Sequence, residues 1–270
     1  MKFAIHAAAA LAAAAFAVTA SAALAGVIVE EQEVGDLGGP PITSVRTIVI
    51  QGNKQKIVSE HDTMITDLDR GVMVLITPAR KTYSEMPFPP RGMSPTAGMA
   101  NIKFAKTGSS RTIDGYKCDN YKGVSHMMGT HSDIVECFSA SAPGAHEFVA
   151  FQKAMVKKLK GTSAAAMVAD VPTGVPLASQ STTSMKGLTI PGMNPEQAQK
   201  LAKMMANRPP IVTKTTVTKI TTKSLADSEF APPAGYTKQP MPQMPRMGAG
   251  APPHASGGTG GGPAAHSLPE

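Results

Sequence analysis

The first half of the chain alternates short β-branched runs with turn residues. Val27-Ile28-Val29 opens the first run and Gly35 to Pro41 breaks it. Val45 to Ile50 follows, and Gly52-Asn53 turns the chain. Two more runs centre on Ile57 and Ile65, with Asp67 to Gly71 as the next turn. Val72 to Ile76 is apolar at every position, the pattern of a strand covered on both faces. Pro78 ends it, and Lys81-Thr82-Tyr83 starts another strand. Pro87 to Ala100 is rich in Pro, Gly and Met and reads as a loop. Thr112 to Lys122 and Asp133 to Ser139 read as strands, with a turn at His126-Met127-Met128-Gly129 between them.

The period then changes. Between Ala145 and Lys160, residues Phe148, Phe151, Met155 and Leu159 share one side of a predicted helix, which Gly161 stops. Lys157, Lys158 and Lys160 lie in its last turn, where they suit the helix dipole. A second helix opens at Asn194-Pro195-Glu196-Gln197, an N-cap followed by proline at the first helical position. Its stripe is Ala198, Leu201, Met204 and Met205, and Pro209-Pro210 ends it. Pro176 to Met185 reads as a strand, and Ile211 to Lys223 alternates threonine with valine, isoleucine and lysine, a strong strand signal. The fold class this predicts is α+β: many antiparallel strands with helices inserted late.

The ends of the chain differ from its middle. Lys2, an alanine-rich apolar run from Phe3 to Val18, and Ala20-Ser21-Ala22 make up the pattern of a secretory signal peptide with its small-residue cleavage site. Ala23-Leu24-Ala25 is a second acceptable site. The apolar run falls short of the roughly 20 residues of a membrane span, and no cysteine follows either site to carry a lipid. Beyond Lys238 proline and glycine dominate, a composition that predicts disorder. The expected organisation is a signal peptide over 1–22, a domain over 23–237 and a tail over 238–270, with the mature protein in the periplasm or released from the cell.

Export changes how the cysteines read. Cys118 and Cys137 are the sole pair in the chain, and in an oxidising compartment such a pair predicts one disulfide. If the turn at 126–129 forms a hairpin, the two fall opposite one another. The bond would close a loop of roughly 20 residues and contribute about 3 kcal/mol by the chain-entropy argument. The formal net charge of +7 fits solubility and would allow transient contact with an anionic membrane surface. Aromatics are 4% of the chain and tryptophan is absent, which argues against base-stacking platforms and a nucleic-acid partner.

Candidate chemistry is sparse. Met241, Met244 and Met247 form a Met-x-x-Met-x-x-Met run of thioethers, soft ligands suited to Cu(I). The interleaved prolines favour polyproline II, where three residues advance about 9 Å, so the tail would have to bend to gather them. His126 and His131, around the hairpin turn, are the other metal candidates. No His-Glu-x-x-His, Gly-x-Ser-x-Gly, phosphate loop or Cys-x-x-Cys is present, so neither an enzyme nor a cofactor is expected.

Several segments together resemble a bacterial family of unknown function, DUF4412, in the superfamily of outer-membrane lipoprotein carriers (LolA/LolB-like). They are Thr107-Gly108, then Ile113-Asp114-Gly115-Tyr116-Lys117-Cys118 with Tyr121, then Gly174-Val175-Pro176-Leu177, and finally Phe230 with Pro233-Ala234-Gly235-Tyr236. The resemblance implies a curved, incomplete antiparallel β-barrel closed by helices, with an apolar cavity of the kind that takes acyl chains. Phe148, Phe151, Met155, Leu159, Leu201, Met204 and Met205 are then candidate cavity walls, although an amphipathic stripe also packs as ordinary core. The 17 methionines against 8 phenylalanines suit an adaptable apolar site. The expected function is a non-enzymatic periplasmic binding protein for a lipid or other hydrophobic ligand. The alternatives are a copper-binding protein and an interaction module with a filled core.

Overall fold

The computed structural model describes residues 25–36, 38–89, 102–127, 130–162, 165, 170–185, 194–206 and 208–240. The chain begins with a meander of six strands, β1 (Gly26–Asp36), β2 (Ile42–Gln51), β3 (Lys54–Val58), β4 (Thr63–Asp67), β5 (Val72–Thr77) and β6 (Thr82–Pro87). A second meander follows, β7 (Ala105–Ile113), β8 (Tyr116–Met127) and β9 (Thr130–Ser139). Helix α1 (Ala145–Leu159) precedes β10 (Val175–Ser184), and helix α2 (Pro195–Ala206) precedes β11 (Ile211–Lys223). The short β12 (Thr237–Lys238) comes last. Among the described residues, these twelve strands form one sheet in the order β12-β6-β5-β4-β3-β2-β1-β11-β10-β9-β8-β7.

Pairing is antiparallel throughout, except that β12 runs parallel to β6. Hairpins join neighbours within each meander, and the long β1–β11 ladder joins the two meanders, running from Gly26↔Lys223 to Asp36↔Val212. The sheet is open, with β12 at one edge and β7 at the other. It is therefore a large, mostly antiparallel sheet rather than a closed barrel.

The apolar run Ile48-Val49-Ile50 shows how the middle of the sheet is covered. Strand geometry sends alternate side chains to opposite faces. Ile48 and Ile50 pack with Val27, Val29, Leu177 and the α1 residue Phe151. Val49 packs instead with Ile65, Val74 and Ile76 beneath Leu225 and Phe230. The segment after β11 is held there by local bonds. Gln51 Nε2 donates to the Leu225 carbonyl at 3.1 Å, and Leu225 N donates to Gln51 Oε1 at 2.8 Å. Lys54 reaches Asp227 at 2.7 Å and Lys56 reaches Glu229 at 3.4 Å. β12 is tied down in turn by the Lys238–Glu85 ion pair.

Three sequence expectations change. Thr112 to Lys122 is two strands, because Asp114 and Gly115 take positive φ values of 48° and 79° and turn the chain between β7 and β8. An Asp-Gly pair matches the left-handed turn that twisted hairpins need. On β5, Val74 and Ile76 are buried but Leu75 is 37% exposed, so this strand is covered on one face and half-bare on the other. The disulfide Cys118–Cys137 is present, but Asn120, not Cys118, is directly opposite Cys137. The bond therefore runs diagonally across the β8–β9 ladder.

Both predicted helices form. Asn194 Oδ1 caps α2 by accepting from Gln197 N at 2.8 Å. The expected signal peptide lies outside the described residues, as do the tail beyond 240 and most of the expected loop at 87–100. Lys238, where the sequence pattern places the start of the tail, is part of β12.

Candidate functional site

Between α1 and the sheet lies a cavity of about 550 Å³. The strand period builds its walls from in-phase positions. On β2 these are Arg46, Ile48 and Ile50; on β1 they are Glu31 and Glu33; on β10, Leu177, Ser179 and Ser181. Glu136 and Phe138 come from β9, and Thr213 and Thr215 from β11. Helix α1 contributes Phe148, Phe151, Gln152 and Met155. Gln152 Nε2 donates to the Val171 carbonyl at 2.8 Å and ties the helix to the 171–174 wall. Gly174 belongs to that wall because its φ is +120° and a Cβ there would sit 2.4 Å from the Ser139 carbonyl oxygen.

The cavity has two chemically distinct ends. Ile48, Ile50, Leu177, Phe148, Phe151 and Met155 make an apolar end under the helix. One register step along, the strands present a polar row: Glu33 is paired with Thr215, Thr215 with Ser179, and Ser179 with Glu136. Beside the row, Glu31 is paired across the ladder with Arg46. The guanidinium bonds the carboxylate from Nε at 2.9 Å and from Nη2 at 2.7 Å.

Burial governs the electrostatics here. Glu31 is 3% exposed, and burial raises its carboxyl above the ordinary carboxylate value. Arg46 pulls it back down, and nearby Glu33 adds to the rise. Glu136 is also held high, by burial first; the Ser179 hydroxyl, 3.5 Å from Oε1, opposes this and the charge of Glu31 reinforces it. Three carboxyl groups therefore share a half-apolar space with one guanidinium.

The expected wall residues separate into two groups. Phe148, Phe151 and Met155 line the cavity. Leu159, on the same helix, is buried but outside the lining. Leu201, Met204 and Met205 of α2 are also outside it, and Met204 is 58% exposed. His126 and His131 face each other across the β8–β9 ladder with ring centroids 4.8 Å apart. His131 Nε2 is 3.4 Å from Asp133 Oδ1. Among the described residues, no group of three His, Cys, Asp or Glu side chains is placed to hold a metal. Met241, Met244 and Met247 lie outside those residues.

Sequence inspection missed Glu31, Glu33, Arg46 and Glu136. The signal for the first two was present: they continue the phase of Val27 and Val29, which puts carboxylates on the face that the valines bury.

The domain of unknown function DUF4412 matches residues 44–187. No curated protein matches the chain. Among solved structures, PNGF-II is similar at 8% identity with a TM-score of 0.38, over 80% of this chain and 32% of that one. The chain thus spans about a third of the length of PNGF-II. A LolA superfamily protein from Nitrosomonas europaea is similar at 7% identity and a TM-score of 0.29, over 76% of this chain and 90% of that one. An outer membrane lipoprotein-sorting protein domain from Vibrio parahaemolyticus is similar at 8% identity and a TM-score of 0.29, over 76% and 88%. Among the described residues, no helix is long and apolar enough to cross a membrane.

Proposed function

The chain belongs to the DUF4412 family, and we propose that it is an exported, non-enzymatic binding protein that holds a hydrophobic ligand between α1 and the sheet. The observation that carries this reading is the cavity itself. At about 550 Å³ it falls within the roughly 300–1,000 Å³ typical of small-molecule sites. Its apolar end is walled by Phe148, Phe151, Met155, Ile48, Ile50 and Leu177, which offer an acyl or other apolar chain a matching surface. Methionine adds an adaptable wall. The signal-like run at 3–18 and the Cys118–Cys137 disulfide support export. In this organisation residues 1–22 are removed, 23–237 bind the ligand and 238–270 form the tail.

Met155→Trp tests the site. Native mass spectrometry of protein purified gently from the periplasm is expected to show an adduct of lipid mass in the wild type. The tryptophan blocks the apolar end beside Phe148 and Phe151, so the variant should lose the adduct while its far-UV circular dichroism stays unchanged. Adduct retained in a folded Met155→Trp protein would refute the assignment of the ligand to this cavity.

A further inference from the structure

The polar end of the cavity restricts what the head of such a ligand can be. The question rests on the cavity being a ligand site, but its answer comes from different residues. Arg46, the cation of the lining, is charge-paired with Glu31: Nε and Nη2 both donate to Oε2 of Glu31. That leaves the carboxyl groups of Glu33 and Glu136 in the lining without a cationic partner among the described residues. Glu31 supplies an independent pointer. It is 97% buried by the 3% exposure of its side chain. Its second oxygen, Oε1, receives no donor from the described residues, yet no buried polar atom there is both sealed from solvent and unpartnered. Oε1 thus accepts no hydrogen bond among the described residues, on a buried side chain that lines the cavity.

We propose that the cavity selects an amphiphile with a net cationic amine head, its apolar chain lying against Phe148, Phe151 and Met155 and its ammonium donating into the Glu31–Glu33–Glu136 end. An ammonium group carries three donors and no acceptor. It matches a wall of carboxylate oxygens and of the Ser179 and Thr215 hydroxyls, each of which can accept. A carboxylate or phosphate head would meet like charges in a space of reduced dielectric, where three carboxyl groups outnumber the one guanidinium. The selection is local. The whole chain carries a formal charge of +7, so its overall field favours anions, and a preference for a cation cannot come from it.

Decylamine, decanoic acid and decanol, titrated separately into the full mature protein at neutral pH and moderate salt with calorimetric detection, decide the matter. Chain length is constant, and only the head changes from cation to anion to neutral. Decylammonium is expected to bind about ten-fold or more tightly than decanoate. Glu136→Gln and, separately, Glu33→Gln should each narrow that ratio at least about three-fold, with decylammonium affinity falling more than decanol affinity. Circular dichroism would confirm that each variant is folded, and Glu33→Gln serves should Glu136→Gln fail to fold. Decanoate binding as tightly as decylammonium, or a ratio untouched in both variants, would overturn the amine head while decanol binding kept the apolar site. Failure of all three, decanol included, would overturn the ligand cavity and the amine head together.

Discussion

Arg46 and Glu31 face each other across the β1–β2 ladder, and both guanidinium donors, at 2.9 and 2.7 Å, reach one carboxylate oxygen. The pair is asymmetric in exposure: 38% for the Arg46 side chain and 3% for that of Glu31. A buried carboxylate is thus held by a cation that keeps much of its hydration. This one contact stabilises the charge of Glu31 and balances the cation of the cavity lining with a carboxylate from the protein itself.

Arg46→Met leaves Glu31 buried without its partner. Loss of a buried partner costs several kcal/mol in dry interiors. The exposure of Arg46 reduces this, so the expected destabilisation is about 1–2 kcal/mol at neutral pH. The loss should shrink as the medium is acidified, because protonated Glu31 needs no counter-charge. Urea melts of both proteins at acid and neutral pH would show it.

Glu31 and Glu136 together give stability a pH dependence of known sign. Both carboxyls titrate higher in the folded protein than the ordinary carboxylate value. The native state therefore holds their protons more tightly than the unfolded chain does. Their contribution is fully present below the unfolded value and is lost as pH rises through the raised folded values. In the Glu31→Gln/Glu136→Gln double variant this fall should vanish. The difference in melting temperature between variant and wild type, followed from pH about 4 to about 8, measures it. A difference that stays constant over that range would contradict the assignment.

The disulfide should be a large part of the stability of the β8–β9 region. Cys118 and Cys137 are 19 residues apart and almost wholly buried. Replacing both by alanine is expected to cost about 3 kcal/mol. Wild-type protein unfolded and refolded in reductant should melt with the double variant, not with the oxidised protein.

Gly174 and Gly161 separate steric from conformational cost. Both have positive φ, +120° and +85°. A Cβ at Gly174 would strike the Ser139 carbonyl oxygen at 2.4 Å, whereas one at Gly161 meets nothing within 4 Å. Gly161→Ala should lose about 1–2 kcal/mol from the left-handed backbone alone. Gly174→Ala should lose clearly more and also weaken apolar probe binding, since it displaces a wall of the cavity. Chemical denaturation with a fluorescent apolar probe reads both.

The elements were largely legible along the chain because their causes are local. The Thr/Val/Ile alternation of 211–223, the Asn194-Pro195 cap and the Gly52-Asn53 turn each act within a few residues, and each produced the element it implies. Even the misread stretch 112–122 carried its own remedy in Asp114-Gly115. The pattern of α1 likewise pointed to the sheet-facing side of the helix, where Phe148, Phe151 and Met155 meet the cavity.

Residues brought together from distant parts of the chain could not be read in this way. The apolar run of β5 cannot tell which of its faces will be covered, and Leu75 proves half-bare because the cover on that sheet, Leu225 and Phe230, arrives from far along the chain and lies on the other face. Helix α2 has a stripe as clear as that of α1, yet Leu201, Met204 and Met205 stand outside the cavity, since amphipathicity does not choose a partner. Above all, the Glu33–Thr215–Ser179–Glu136 row exists through three ladders, one of them joining β1 to β11 across nearly the whole domain. Turns and helices follow from short-range backbone and solvation preferences. Convergence of charges depends on the register between distant strands, where a one-residue slip would turn every side chain of a strand to the other face.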